Sequence, residues 1–157
     1  MDNLHLYIVP LLSVFLSYIV GRMSNSRNLK IESLKERYNN FYLPYMQLLI
    51  RTSPKIPNII TTPEIAMKFS EFLIEKSHYL ETQTSQLAIE YYPLMLNYFE
   101  YCEGNPDFKD AEDKINAYII KASQEILMES TKVAKQLKMP QVSKTIYSNL
   151  NYQLHNK

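Results

Sequence analysis

The stretch of this chain best suited to chemistry is a Glu-x-x-His pair, Glu75 and His78, with Glu71 and Glu81 about one helical turn to either side. Such a pair lies on one face of a helix, but a di-iron bundle needs two of them and two further carboxylates. The other two histidines lie at the ends of the chain and complete no second pair. The pattern therefore favours a solvated helix face, and we predict no metal or other cofactor.

The sequence also lacks the motifs expected of a catalytic nucleophile or a phosphate-binding loop. The single cysteine, Cys102, has no histidine near it in sequence and lies on the apolar stripe of its helix, which predicts a small buried residue. Gly21 and Gly104 are the only glycines, too few for a Gly-rich phosphate loop. The motifs G-x-S-x-G, H-E-x-x-H and C-x-x-C do not occur. We therefore predict that the protein is not an enzyme.

The elements that carry these residues are expected to be helices. The 157 residues suit one domain, and one thiol cannot form an internal disulfide. A heptad-like apolar seam runs from Ile31 to Leu48, and Pro44 interrupts it, which predicts a kink or break near Leu43.

Three further helices are predicted along the chain. The first has Thr62 as its N-cap and Pro63 in its first turn, the second ends at Gly104, and the third lies between Asp107 and Lys138. The basic tail 140–157 has apolar residues at intervals of four, so it forms a short amphipathic helix or stays disordered.

The opening stretch, "LHLYIVPLLSVFLSYIVGRM" over Leu4–Met23, has the features of a membrane anchor. It has no charged residue from Leu6 to Val20, and about 20 helical residues cross a bilayer core of ~30 Å. The residues before it, Met1–Asn3, carry an acid and no base, and no small-residue cleavage site follows. These features favour a retained anchor, with a cleaved signal peptide as the alternative.

The flanking charges predict the orientation of this anchor. Basic residues follow the span at Arg22, Arg27 and Lys30, then at Lys35 and Arg37, and no Lys or Arg precedes it. The positive-inside rule places that side in the cytoplasm, so the N-terminus is predicted to face outward and the C-terminal domain to be cytoplasmic.

Small residues mark one face of the anchor. Ser13, Ser17 and Gly21 are spaced four apart, which aligns them along one side of a helix. Small residues let two membrane helices approach closely, so this face predicts a homo-oligomer formed through the anchor. An anchor that does not self-associate is the equal alternative, because such spacing is common in membrane helices.

Thirteen tyrosines are unusual for a chain of this length, and many fall in two helices. Five are candidate interface aromatics: Tyr38, Tyr42, Tyr45, Tyr91 and Tyr98. Tyrosine suits both a protein interface and the edge of a core, where the ring is buried and the hydroxyl stays hydrated. Aromatic residues at helical spacing are more often core residues, so the aromatic core is favoured and the interface stays open.

Charge is segregated along the chain although the net charge is only +1. Residues 1–63 carry seven bases and three acids, a net of +4, and residues 64–129 carry five bases and thirteen acids, a net of −8. Residues 130–157 carry five bases and no acid. The basic ends suit a membrane surface or pairing with the acidic helices, and no nucleic-acid partner is predicted.

Two segments resemble a loose set of uncharacterised bacterial single-pass membrane proteins. "LKERYNNFYLPYMQLLIR" is similar to the Tyr-x-Pro motif that follows their membrane helix, through Tyr42, Pro44 and Leu48. "FLIEKSHYLETQTSQLAIEYY" is similar to their second helical block, through Tyr79 and Leu80. The resemblance covers about half of the chain and implies a bacterial or phage source and a helical cytosolic domain, with no activity to carry over.

The sequence thus predicts an all-α protein with one N-terminal transmembrane helix followed by a cytosolic bundle of about four helices. The predicted domains are an anchor over 1–23, a helical bundle over 24–139 and a basic tail over 140–157. The predicted function is a membrane-tethered, non-enzymatic interaction module whose partners are the lipid bilayer and an unidentified protein. The alternative is a small membrane-perturbing effector of phage or anti-phage type whose anchors oligomerise.

Overall fold

The described residues form six α-helices in the computed structural model, which confirms the all-α class. The structure describes residues 4–52 and 58–155, and the side chains of residues 4–12, 14 and 83 lie outside that description. The helices are α1 (Leu4–Arg37), α2 (Leu43–Thr52), α3 (Pro63–Lys76), α4 (Thr82–Cys102), α5 (Ala111–Gln136) and α6 (Val142–His155).

The chain divides into two units, residues 1–35 and residues 36–157. The first contains most of α1, and the second contains the remaining helices. Over the residues 4–52 and 58–155, no helix combines the length and the apolar character that a bilayer crossing requires. The structure thus gives no support to the predicted anchor, and the start of its apolar stretch, 4–12, lies outside the described side chains.

A π-helical turn over Tyr38–Tyr42 separates α1 from α2, in agreement with the interruption predicted near Leu43. Pro44 has no N–H to donate to the carbonyl four residues back, and its ring crowds that carbonyl. The wider turn accommodates this crowding, because the N–H of Leu43 reaches the carbonyl of Tyr38 five residues back.

The central helix of the second unit is α5, which packs against α4 and α6, while α4 also packs against α3. Its buried apolar residues recur at helical spacing: Ile115, Ile119, Ala122, Ile126, Leu127 and Val133. The predicted start of α3 is confirmed, because the Thr62 hydroxyl accepts a hydrogen bond from the N–H of Ile65 and Pro63 occupies the first turn. Gly104 follows α4 with a φ of 89°, a left-handed conformation that suits glycine after a helix end.

The C-terminal tail is helical, which is one of the two alternatives that the sequence left open. In α6, Leu150 is 1% exposed and Ser143 is buried. The hydroxyls of Ser143 and Thr131 are 2.9 Å apart, and the Gln124 amide donates to Asn151 at 2.7 Å. Both hydrogen bonds join α6 to α5, so the tail is part of the folded bundle.

Candidate functional site

An ion pair between a half-buried arginine and a buried glutamate joins the end of α1 to α5. The carboxylate of Glu129 on α5 is 4% exposed, and its Oε1 lies 2.5 Å from Nη2 of Arg37. Tyr42 also donates its hydroxyl hydrogen to that oxygen, at 2.5 Å, and the backbone N–H of Glu81 donates to it at 3.1 Å. Arg37 additionally donates from Nε to the carbonyl of Tyr79. These residues, Arg37, Tyr42, Tyr79, Glu81 and Glu129, are called the Glu129 centre below.

Three separate elements carry the three side chains of the Glu129 centre, to which Tyr79 and Glu81 contribute backbone groups. Arg37 is the last residue of α1, Tyr42 is the last residue of the π-helical turn, and Glu129 lies on α5. Burial raises the pKa of the Tyr42 phenol, and the Glu129 carboxylate raises it further, while the Arg37 guanidinium acts in the opposite direction. Tyr42 therefore stays protonated and acts as a hydrogen-bond donor, which suits a structural clamp.

The second carboxylate oxygen of Glu129 has no partner. Among the described residues, this Oε2 is buried without a hydrogen bond, and so is the hydroxyl of the adjacent Ser130. An unpaired buried oxygen costs free energy, so the centre depends strongly on the contacts made by Oε1. Sequence analysis missed this centre, because nothing in the spacing of Arg37 and Glu129 indicates that they meet.

The five candidate interface aromatics all lie in the core: Tyr38, Tyr42, Tyr45, Tyr91 and Tyr98. The hydroxyl of Tyr45 lies 2.8 Å from that of Ser123, and the hydroxyl of Tyr91 donates to the carbonyl of Ala66 at 3.1 Å. Their rings are therefore unavailable to a partner on the folded surface. The structure agrees with the aromatic core, with the difference that the hydroxyls of Tyr42, Tyr45 and Tyr91 are hydrogen-bonded inside the protein.

A different set of apolar side chains forms an exposed surface along α3 and α4, called the α3–α4 strip below. Its five members are between 44% and 75% exposed: Met67, Ile74, Ile89, Tyr92 and Leu96. Two shallow grooves run along it and share Ile74 and Tyr92. The grooves are therefore continuous, and the strip is one surface.

The α3–α4 strip arises because α4 is apolar on two faces. The core face of α4 carries Leu87, Tyr91 and Met95, and the opposite side presents Ile89 and Leu96. A helix that is apolar on both sides needs a second covering surface. Sequence analysis followed one stripe of α4 and missed the other, although the nearly continuous apolar run "IEYYPLMLNYF" contains the signal.

Acidic residues border the α3–α4 strip. Glu71 and Glu75 line the groove that also contains Met67 and Leu96. Over residues 63–103 the chain carries seven acids and two bases, a net of −5. The surface is thus apolar along its middle and negatively charged at its edge.

The Glu-x-x-His pair does not assemble a metal site in the described part of the chain. Glu75 and His78 are both exposed, and His78 lies in the 3-10 turn Ser77–Tyr79 that follows α3. The imidazole ring packs 4.0 Å from the ring of Tyr79. Within residues 4–52 and 58–155, no group of three or more His, Cys, Asp or Glu side chains is placed to hold a metal ion.

The prediction that Cys102 is buried is wrong. Its thiol is free and exposed. Cys102 has the correct phase on α4, but it is the last residue of that helix. A side chain is buried only where a neighbouring helix extends alongside it. The periodicity of one helix does not predict where the neighbouring helices end.

The predicted anchor residues that the structure describes are exposed along α1. This holds for the small residues Ser13, Ser17 and Gly21 and for the basic residues Arg22, Arg27 and Lys30. Large apolar side chains are exposed between them: Phe15, Leu16, Tyr18, Ile19 and Val20. At about 100° per residue, these apolar side chains cover more than half of the helix circumference, and the small residues occupy the rest.

Comparison with known proteins adds no relative: no family model, no curated protein and no solved structure matches this chain. The resemblance to bacterial single-pass membrane proteins stays a prediction.

Proposed function

We propose that this chain is a non-enzymatic interaction module that the apolar start of α1 tethers to a membrane. The observation that carries the proposal is the exposed apolar surface of α1 between Phe15 and Val20. A helix that is apolar on most of its circumference is typical of a membrane span or of the core of a large protein. The predicted span Leu4–Met23 supplies the remaining length, because about 20 helical residues cross a bilayer core of ~30 Å.

Charged and aromatic residues support the same tether at its end. Arg22, Arg27 and Lys30 are exposed directly after the apolar surface, and long basic side chains of this kind reach the headgroup layer. Tyr18 lies one turn earlier, where aromatic residues are enriched at membrane interfaces. The proposed topology has the N-terminus outside and the second unit in the cytoplasm.

The interaction role rests on the α3–α4 strip. Its exposed apolar side chains line two grooves that share Ile74 and Tyr92, whereas single exposed apolar residues are ordinary on protein surfaces. Contiguous apolar surface of this kind marks interaction sites. A tether that places such a surface at the membrane would concentrate a partner there.

Membrane fractionation of the full chain expressed in bacteria tests the tether. We expect the protein in carbonate-washed membranes, and we expect the double variant Leu16→Arg/Ile19→Arg to move to the soluble fraction. An arginine costs about 2.5–3.5 kcal/mol of insertion at the centre of a span and less toward its end, so Leu16→Arg should contribute more to the loss than Ile19→Arg. The matched control is Ile50→Arg/Met128→Arg, which changes two other exposed apolar residues and is expected to leave the protein in the membrane.

The topology has a native reporter, because Cys102 is the only cysteine and is exposed. A membrane-impermeant maleimide should label Cys102 only after the inner membrane is permeabilised. Labelling in intact cells would reverse the proposed orientation, and wild-type protein in the soluble fraction would refute the tether itself.

Self-association through α1 is the second candidate, supported by the exposure of Ser13, Ser17 and Gly21 along one side of the helix. The variant Ser17→Leu/Gly21→Leu should weaken self-association of the span in a membrane reporter assay. Growth arrest with dye uptake on expression would favour a membrane-perturbing effector over the interaction module. An unchanged reporter signal in the double variant would remove the support for this candidate.

A further inference from the structure

We infer that the α3–α4 strip binds a basic amphipathic helix of a partner protein. This inference rests on the proposed function, because it names the partner chemistry of the same interaction surface. Three properties of the α3–α4 strip support it: its shape, its side-chain chemistry and its charge.

The shape of the strip suits a helix. The α3 and α4 helices pack side by side, and the two grooves that share Ile74 and Tyr92 follow their outer surface. Ile89 and Leu96 are seven residues apart on α4, which is about 10 Å along the helix axis. This length matches the apolar anchors i to i+7 of a helix that lies in a groove.

The side chains of the strip suit an apolar helix face. Met67 is exposed in the groove and Met95 lies at its base, and both are flexible, polarisable side chains that adapt to the shape of a ligand. Tyr92, with Phe99 in the same groove, offers a large apolar area at a low cost in conformational entropy. Interfaces are enriched in these residue types.

The charge selects a basic partner. Glu71 and Glu75 are the charged residues that line this groove, and on their other side they border a neighbouring groove that also contains Arg51 and Lys68. A basic helix would place its Lys or Arg residues opposite these carboxylates, whereas an acidic helix or nucleic acid would be repelled. An anionic membrane surface is disfavoured for the same reason.

A second copy of this chain is a poorer occupant than a partner protein. Its basic segment, 130–157, includes α6, whose residues Ser143 and Leu150 are already buried in its own bundle. That helix therefore has only part of an apolar face left to offer. Self-association through the strip is accordingly an outcome that would contradict the inference.

Fluorescence anisotropy with two designed peptides tests the inference. The probe is a labelled helix of about 18 residues with Leu at i, i+3, i+4 and i+7 and Lys elsewhere, and its counterpart has Glu in place of Lys. The full chain is held in phosphatidylcholine nanodiscs, and empty nanodiscs give the baseline. We expect saturable one-to-one binding of the Leu/Lys peptide and at least about tenfold weaker binding of the Leu/Glu peptide.

Two variants localise the binding to the strip. Ile74→Ser/Leu96→Ser should weaken binding of the Leu/Lys peptide by about tenfold or more, because it removes two apolar contacts. Its control, Ile50→Ser/Met128→Ser, makes the same change at exposed positions outside the strip and should bind normally. Glu71→Gln/Glu75→Gln should weaken binding by about threefold at low salt and less at high salt, whereas Glu36→Gln/Asp113→Asn should not.

Several results would overturn the inference. These are equal binding of both peptides, equal binding to the Ile74→Ser/Leu96→Ser variant and its control, and self-association in sedimentation that this variant abolishes. Failure of the proposed tether has a different signature, because the wild-type chain would then be found in the soluble fraction. A chain that stays in membranes but shows no peptide preference would contradict the docking surface alone.

Discussion

The Glu129 centre and the α3–α4 strip both depart from the usual pattern of apolar residues inside and charged residues outside, but in opposite directions. The centre buries a charged pair between Arg37 and Glu129, and the strip exposes contiguous apolar residues such as Ile74 and Ile89. The centre pairs its two charges within the second unit, so its residues contribute to the stability of the fold. The strip leaves apolar area in water, so its residues are free to determine binding. Substitutions in the Glu129 centre should therefore change stability, and substitutions in the α3–α4 strip should change binding.

The largest effect is expected from Arg37→Met. This variant leaves the buried Glu129 carboxylate without its cation, which should lower the free energy of unfolding by about 4 kcal/mol in urea titration. The double variant Arg37→Met/Glu129→Leu should recover only part of that loss, because it removes both charges but leaves the Tyr42 hydroxyl and the Glu81 N–H without their acceptor. Lys35→Met, at an exposed position on the same helix, is the control. A loss for Lys35→Met as large as that for Arg37→Met would show that the ion pair is not the cause.

The next effect compares two apolar residues of α6. Leu150 is 1% exposed and Val142 is 50% exposed. Leu150→Ala should lower the free energy of unfolding by about 3 kcal/mol, because it removes buried methyl groups and leaves a cavity. Val142→Ala should change it by less than about 0.5 kcal/mol. Equal effects of the two variants would mean that α6 does not pack as the structure places it.

The buried tyrosines predict a loss of stability at alkaline pH. Burial raises the pKa of six phenols above the ordinary value of about 10: Tyr38, Tyr42, Tyr45, Tyr91, Tyr98 and Tyr118. The unfolded chain loses these protons near pH 10 and the folded chain only at higher pH. The free energy of unfolding should therefore fall as the pH rises above about 10.

Tyrosinate absorbance and circular dichroism, recorded on the same samples, check this expectation. The last phenols to ionise should do so together with the loss of helical signal. Ionisation of all thirteen tyrosines in one step near pH 10, with the helices retained, would show that these hydroxyls are open to water.

The smallest effect on stability is expected in the α3–α4 strip. Ile89 is 75% exposed, so Ile89→Ser should change the free energy of unfolding by no more than about 0.5 kcal/mol. The buried neighbour Ala88 lies about 100° around the helix from Ile89, at the base of the same groove, and gives the contrast, because Ala88→Ser buries a hydroxyl and should cost about 1–3 kcal/mol. Strong destabilisation by Ile89→Ser would mean that the strip is covered within the chain.

Features of the fold that depend on a few neighbouring residues are the ones that the sequence predicts correctly. Local rules correctly located the interruption at Pro44, because proline acts on the backbone within one turn. They also located the start of α3, where Thr62 and Pro63 satisfy the rules for a helix N-terminus. Both features depend only on residues that are close in sequence.

The sequence by itself therefore determined the all-α class, the capping of α3 and the apolar phase of the core helices, because each follows from propensity and periodicity over a few turns. The tertiary structure alone decided that Arg37 pairs with Glu129, 92 residues later in the chain, and that no neighbouring helix buries Cys102. It also decided which of the two apolar faces of α4 is buried. These outcomes depend on which helices become neighbours, and no local pattern encodes that choice.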